Sequence, residues 1–152
     1  TLDTGNNIAL LEDPMEVVRS LAPYAFTVHL KDMGVEEYPD GFLLSEVALG
    51  DGYLDIAEMI RIIREQNPEI RFNLEMITRD PLKIPCLTDA YWATFDQVPA
   101  VELATYLHGI KMHNSERPLK RISQFPANVQ LSLEVENNRS CLQYARGHYG
   151  FI

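Results

Sequence analysis

Asp3, His29 and Glu75 are the residues of this chain whose types and spacing could do chemistry together. Each stands at or near the end of a short alternating run: Leu2-Asp3-Thr4-Gly5-Asn6, Val28-His29-Leu30-Lys31-Asp32 and Asn73-Leu74-Glu75-Met76. One imidazole and two carboxylates with open water positions suit Mn²⁺, Mg²⁺ or Co²⁺ better than a closed thiolate zinc site, although Zn²⁺ is also admitted. Singly, each residue has a plainer reading: Asp3 as a turn cap, Glu75 as a paired buried carboxylate, His29 as a satisfied core histidine. What favours the joint reading is that all three runs can be strands with their ends side by side.

The alternation within the runs supports this. Phe26, Val28 and Leu30 share one face and Thr27, His29 and Lys31 the other, while Phe72, Leu74 and Met76 oppose Arg71, Asn73 and Glu75. Leu2 and Asp3 divide in the same way. An apolar face suits covering helices, and a polar face suits the mouth of a barrel. A sheet buried on both faces would read as continuous apolar runs instead.

Two amphipathic helices are expected between the strands. Asp13 reads as an N-cap with Pro14 at the first helical position and Val17, Val18 and Leu21 as the apolar stripe, ending before Pro23. Asp55 caps a second helix with Ile56, Met59, Ile60 and Ile63 on one face, stopped by Asn67-Pro68. Alternating strands and helices imply a parallel sheet, which sets all strand C-termini on one rim. Met33 to Tyr53, with Pro39-Asp40-Gly41 and Gly50-Asp51-Gly52, reads as a long loop of the kind that is usually functional. Gly50-Asp51-Gly52 itself reads as turn chemistry, because it lacks the Lys-Ser/Thr ending of a phosphate loop. Further on, helices are expected from Pro99 to about Met112, capped near Gln97, and from Leu131 to Tyr144. The chain thus divides into 1–96, strand and helix, and 97–152, a helical cover or extension of the same domain.

Composition narrows the functions. Thirteen basic against 22 acidic residues leave a net charge of −9, which argues against a nucleic-acid surface and for a small-molecule ligand. The basic stretch Lys111 to Arg121 reads as a solvated loop, with a phosphate or partner patch as the alternative. No apolar run is long enough to span a membrane. Cys86 and Cys141 read as free buried thiols of a reducing, cytoplasmic compartment. Tyr91 and Trp92 are expected in packing at the barrel's bottom or in a subunit contact, so a homo-oligomer is compatible with the sequence.

The motifs Leu-Asp-Thr-Gly-Asn (2–6), Val-His-Leu-Lys-Asp (28–32), Leu-Gly-Asp-Gly (49–52) before an Asp-capped helix, and Leu-Glu (74–75) resemble the xylose-isomerase-like TIM barrels. These are sugar isomerases, epimerases and inosose dehydratases. The resemblance is carried by about residues 1–80. It implies the C-terminal portion of a (β/α)8 TIM barrel, about its last three strands, with a helical C-terminal extension. A whole barrel takes about 250 residues against the 152 present, and Thr1 already lies near a strand's end, so the remainder of the barrel is expected upstream.

The resemblance implies a divalent ion held by Glu, Asp, His and Glu near the ends of the last four strands. Asp3, His29 and Glu75 match the last three, Glu75 doubling as the catalytic carboxylate. Lys31 and Asn6 are implied substrate contacts, with a structural ion pair and a turn beside Gly5 as their alternatives. Arg79 is a further candidate for a substrate hydroxyl or phosphate, or else pairs with Asp80 or Glu46. Asp32 points away from the site and could leave the rim. The implied activity is isomerisation or epimerisation of a sugar, keto-sugar or sugar phosphate through an enediolate. The alternatives are an inosose-dehydratase-like or keto-glycoside-eliminating lyase, and a non-catalytic sugar-binding subunit.

Overall fold

A computed structural model of the chain describes residues 1–96 and 100–150. In chain order the elements are β1 (Leu2–Asp3), α1 (Pro14–Leu21), β2 (Thr27–Leu30), β3 (Asp32–Tyr38), β4 (Gly41–Val47), α2 (Ile56–Gln66), β5 (Arg71–Leu74), β6 (Leu82–Ile84), α3 (Asp89–Trp92), α4 (Ala100–Met112) and α5 (Ala127–Tyr149). Single 3-10 turns lie at Asn6–Leu10, Ala22–Tyr24 and Ile122–Gln124. The fold is mixed α/β, with two three-stranded sheets and a long C-terminal helix. Among the described residues no helix is long and apolar enough to cross a membrane.

The first sheet is parallel throughout, in the order β1-β2-β5, with Asp3 opposite His29 and His29 opposite Asn73. Its apolar face, Leu2, Val28 and Leu30, packs against Val18 and Ala22 on one side and Ile56, Met59, Ile60 and Ile63 on the other. Both covering helices start as their sequences dictate: the Asp13 carboxylate accepts the Glu16 N–H and the Asp55 carboxylate that of Glu58. Val18, Val28 and Ile63 are 0% exposed, so truncating any of them would cost about 2–4 kcal/mol through lost transfer energy and a residual cavity.

The expected long loop from Met33 to Tyr53 is instead largely a β-hairpin. β3 and β4 pair antiparallel from Asp32–Val47 to Tyr38–Gly41, and β6 adds to β4. The physical reason is legible afterwards. Pro39-Asp40 is a two-residue turn, Gly41 takes φ of 149°, and Met33, Val35, Phe42 and Leu44 supply a buried face. That face forms a second core with Ile8, Ile84, Cys86 and Ile110.

Helices occupy the C-terminal region as expected, with shifted bounds. α5 is longer than Leu131 to Tyr144, because Pro126 opens it and Gly150, at φ of 66°, closes it in the left-handed region. α4 is seen from Ala100; the cap expected at Gln97 and the start at Pro99 lie outside the described residues. Cys86 and Cys141 are free and buried, one in each core. Tyr91 and Trp92 turn inward, donating to the carbonyls of Ala9 (2.7 Å) and Cys86 (2.8 Å), which ties 85–95 to the Asn6–Leu10 turn.

Candidate metal centre

Parallel register brings the three strand-end residues together. Asp3 and His29 are direct neighbours across β1 and β2. Glu75 lies one pleat beyond Asn73 on the same face, carried there because its N–H still donates to the Leu30 carbonyl at 3.0 Å. One ligand atom from each of Asp3, His29 and Glu75 lies within 4.8 Å of the others. His29 Nδ1 and Glu75 Oε2 are 2.7 Å apart, yet Glu75 Oε2 is buried and receives no hydrogen bond of proper direction. A buried carboxylate oxygen without a donor is costly and needs an explanation. A cation shared with the imidazole nitrogen supplies one, so these residues fit a divalent ion.

Lys31 organises the remaining oxygens. Its side chain is 1% exposed, and its Nζ lies 3.0 Å from Asp3 Oδ2, 3.0 Å from Glu75 Oε1 and 3.5 Å from Glu46 Oε1. It also donates to Asn6 Oδ1 at 3.2 Å. Burial works against the charged ammonium, but Glu75, Asp3 and Glu46 outweigh it and raise its pKa above the ordinary lysine value. Three carboxylate side chains face one ammonium, an excess of acidic groups that a divalent cation would offset.

Asn6 closes the arrangement. Its amide donates to Asp3 Oδ2 at 3.0 Å while its oxygen accepts from Lys31. Asp3 Oδ1 accepts the N–H groups of Gly5 (2.9 Å) and Asn6 (2.8 Å), so Asp3 is also the turn cap that its sequence context allowed. Both ends of the Asn6 amide therefore hold other site residues. Lys31 likewise is the hub of an ion-pair network.

Glu46 is the residue that strand-end reasoning missed. It stands on β4, 8% exposed, with Oε2 accepting the Ile77 N–H and Oε1 facing Lys31. Nothing in its local pattern marks it, because only the hairpin's fold back over the rim brings it there.

Asp32 does not leave the rim. It points away from the ligands as alternation requires, but into the protein, where Oδ1 accepts the N–H groups of Met33 (2.9 Å) and Leu54 (3.2 Å) and Oδ2 those of Gly50 (3.0 Å) and Gly52 (3.1 Å). Burial pushes its pKa up, and the four N–H donors pull against that shift. Gly50 sits at φ of 90°, and a Cβ on Gly52 would collide with the Asp32 carboxylate, so Gly50-Asp51-Gly52 is a turn built around an aspartate.

Arg79 pairs with neither Asp80 nor Glu46. It lines a cleft of about 660 Å³ bounded by β4, the 76–79 segment and residues 112–120. Glu46 and Met76 line the same cleft, so it borders the ligand cluster.

Comparison with known proteins finds no matching family model, curated protein or solved structure. The functional reading therefore stands on the site's own chemistry. An imidazole and two carboxylates at the C-terminal rim of parallel strands, beside a buried ammonium, offer ligand atoms to a cation and a carboxylate for proton transfer.

Proposed function

We propose that the chain carries most of the metal centre of a divalent-metal-dependent isomerase or epimerase acting on a sugar or keto-sugar. The observation that supports this most is the convergence of Asp3, His29 and Glu75 with a buried, undonated Glu75 oxygen at its centre. The β1-β2-β5 sheet is then the last arc of a (β/α)8 barrel. A neighbouring strand across the free side of β1 would bring a second glutamate as the fourth ligand.

When bound, a Mn²⁺, Mg²⁺ or Co²⁺ ion would polarise the substrate carbonyl and acidify the adjacent C–H. Asp3, His29 and Glu75 would hold it. Glu75 is the carboxylate beside it able to accept that proton and return it. Lys31 fixes Glu75 and Asp3 in orientation, and Asn6 fixes Asp3 against Lys31.

Equilibrium titration with Mn²⁺ tests the site. Micromolar or tighter binding is expected, weakened at least tenfold in Glu75→Gln and in His29→Ala; unchanged affinity in both sinks the assignment. For the reaction, deuterium uptake from D₂O at the carbon beside the carbonyl of a ketohexose, without elimination, separates isomerase or epimerase from lyase.

A further inference from the structure

Arg79, Arg117 and Lys120 present three cations to the cleft of about 660 Å³ beside the metal centre. Asp80, next to Arg79, and Glu36, which holds the neighbouring Arg121, are engaged elsewhere. Asp80 accepts the N–H (2.7 Å) and hydroxyl (2.6 Å) of Ser123, and Glu36 accepts from Arg121 Nη2 (2.9 Å) and the Leu119 N–H (2.7 Å). Asp51 and Glu116 also line the cleft. Among the described residues, none of these carboxylates comes within ion-pair distance of the three cations. The cleft thus carries three cations that none of its lining carboxylates, Glu46, Asp51 and Glu116, pairs with.

The wall that carries two of them is anchored. The Ser115 N–H donates to the Val35 carbonyl at 2.8 Å, and Leu119 is 8% exposed. Arg121 is held on Glu36. Arg117 and Lys120 are exposed and extend from an irregular stretch held at its backbone on either side, so the solvated loop expected there is tethered to the fold. A tethered backbone lowers the ordering cost that the side chains it carries meet on binding an anion.

The cleft is also within substrate reach of the ligands. Glu46 lines the cleft while its Oε1 lies 3.5 Å from Lys31 Nζ, and four residues from Glu75 to Arg79 span at most about 14 Å. That is the scale of a five- or six-carbon sugar bearing a terminal anion.

We propose that this cleft is an anion-binding subsite, with Arg79, Arg117 and Lys120 as donors, that takes the phosphate or carboxylate end of the substrate. Its role as a substrate subsite rests on the metal-centre reading, whereas its capacity to bind an anion does not.

Inorganic phosphate is titrated into the chain in EDTA, followed by amide chemical shifts. Saturable binding is expected, weakened at least tenfold in Arg79→Ala/Arg117→Ala and changed less than twofold in the α5 control Arg139→Ala/Arg146→Ala. Should the double alanine variant lose its far-ultraviolet dichroism, Arg79→Gln/Arg117→Gln replaces it. Absence of saturation, a loss under twofold, or an equal loss in the control overturns the proposal. Fructose 6-phosphate and gluconate, each compared with fructose, then separate the sources: the tighter anion names phosphate or carboxylate, and neither exceeding fructose overturns the subsite. Phosphate binding that persists while Mn²⁺ binding fails removes the metal reading alone; the reverse removes the subsite alone.

Discussion

Lys31 Nζ lies 3.0 Å from Glu75 Oε1, while the other oxygen of the same carboxylate is turned to His29 Nδ1 at 2.7 Å. One carboxylate therefore has an oxygen fixed by a permanent cation and an oxygen left for an exchangeable one. The ammonium holds Glu75 pointed, and the cluster is assembled by the protein's own contacts. Such preorganisation lowers the cost of binding, because the ligands need not be ordered at that moment.

Replacing Lys31 by Met should then leave Asp3, Glu46 and Glu75 facing one another without a counter-charge. Breaking one side of a buried ion-pair network costs about 3–5 kcal/mol. Urea unfolding in EDTA at pH 7 measures the loss. Mn²⁺ should recover part of it and stabilise the variant more than the parent chain, since the deficit of positive charge is larger. A loss below about 1 kcal/mol would show that the network contributes little, against the usual cost of an unpaired buried charge.

Asn6→Ala acts on the site without adding charge. It removes the amide that holds Asp3 Oδ2 and the oxygen that receives Lys31. Residues that orient metal ligands are typically worth about 10–100-fold in affinity. Mn²⁺ affinity should fall about tenfold while the urea midpoint moves little, because Asn6 is exposed. Unchanged affinity would place Asn6 outside the positioning of Asp3.

The parts of this site that a period of two can reveal were legible in the sequence. Asp3, His29, Lys31 and Glu75 share a face because strand alternation assigns it, and Asp13 and Asp55 start helices because a carboxylate before an apolar stripe does so. What escaped depends on contacts between distant segments. The hairpin was signalled by Pro39-Asp40-Gly41, but Gly34, Glu36 and Glu37 dilute the alternation of β3. Without the hairpin there is no reason to bring Glu46 to Lys31. Asp32 shows the same limit: alternation correctly turns it from the ligands, yet its four N–H donors come mostly from residues 50–54, far along the chain.

Asp32→Asn should be among the more damaging conservative changes. The carboxylate serves N–H donors on both oxygens, whereas an amide offers one acceptor oxygen and turns its own donors toward N–H groups. Leaving two buried backbone donors unserved would cost about 2–4 kcal/mol. Urea unfolding reads this, and hydrogen exchange at Gly50, Gly52 and Leu54 should accelerate selectively. Protection retained at all three would mean that the turn holds without Asp32.

The Glu36–Arg121 pair gives the cleft wall a pH dependence with a definite sign. The guanidinium beside Glu36 holds its carboxyl below the usual value, the Leu119 N–H adding to this against the effect of burial. A depressed folded-state pKa contributes stability above the unfolded pKa and loses it as pH falls through the folded one. The contribution is therefore present at pH 7 and fades below the ordinary glutamate value of about 4.3. Discounted for partial exposure, it is about 1 kcal/mol. Glu36→Gln should cost about that much in urea unfolding at pH 7, with the gap from the parent chain closing as pH falls through the lowered folded value of Glu36. A gap that stays constant across this range would assign the loss to the hydrogen bonds of the side chain and not to its charge.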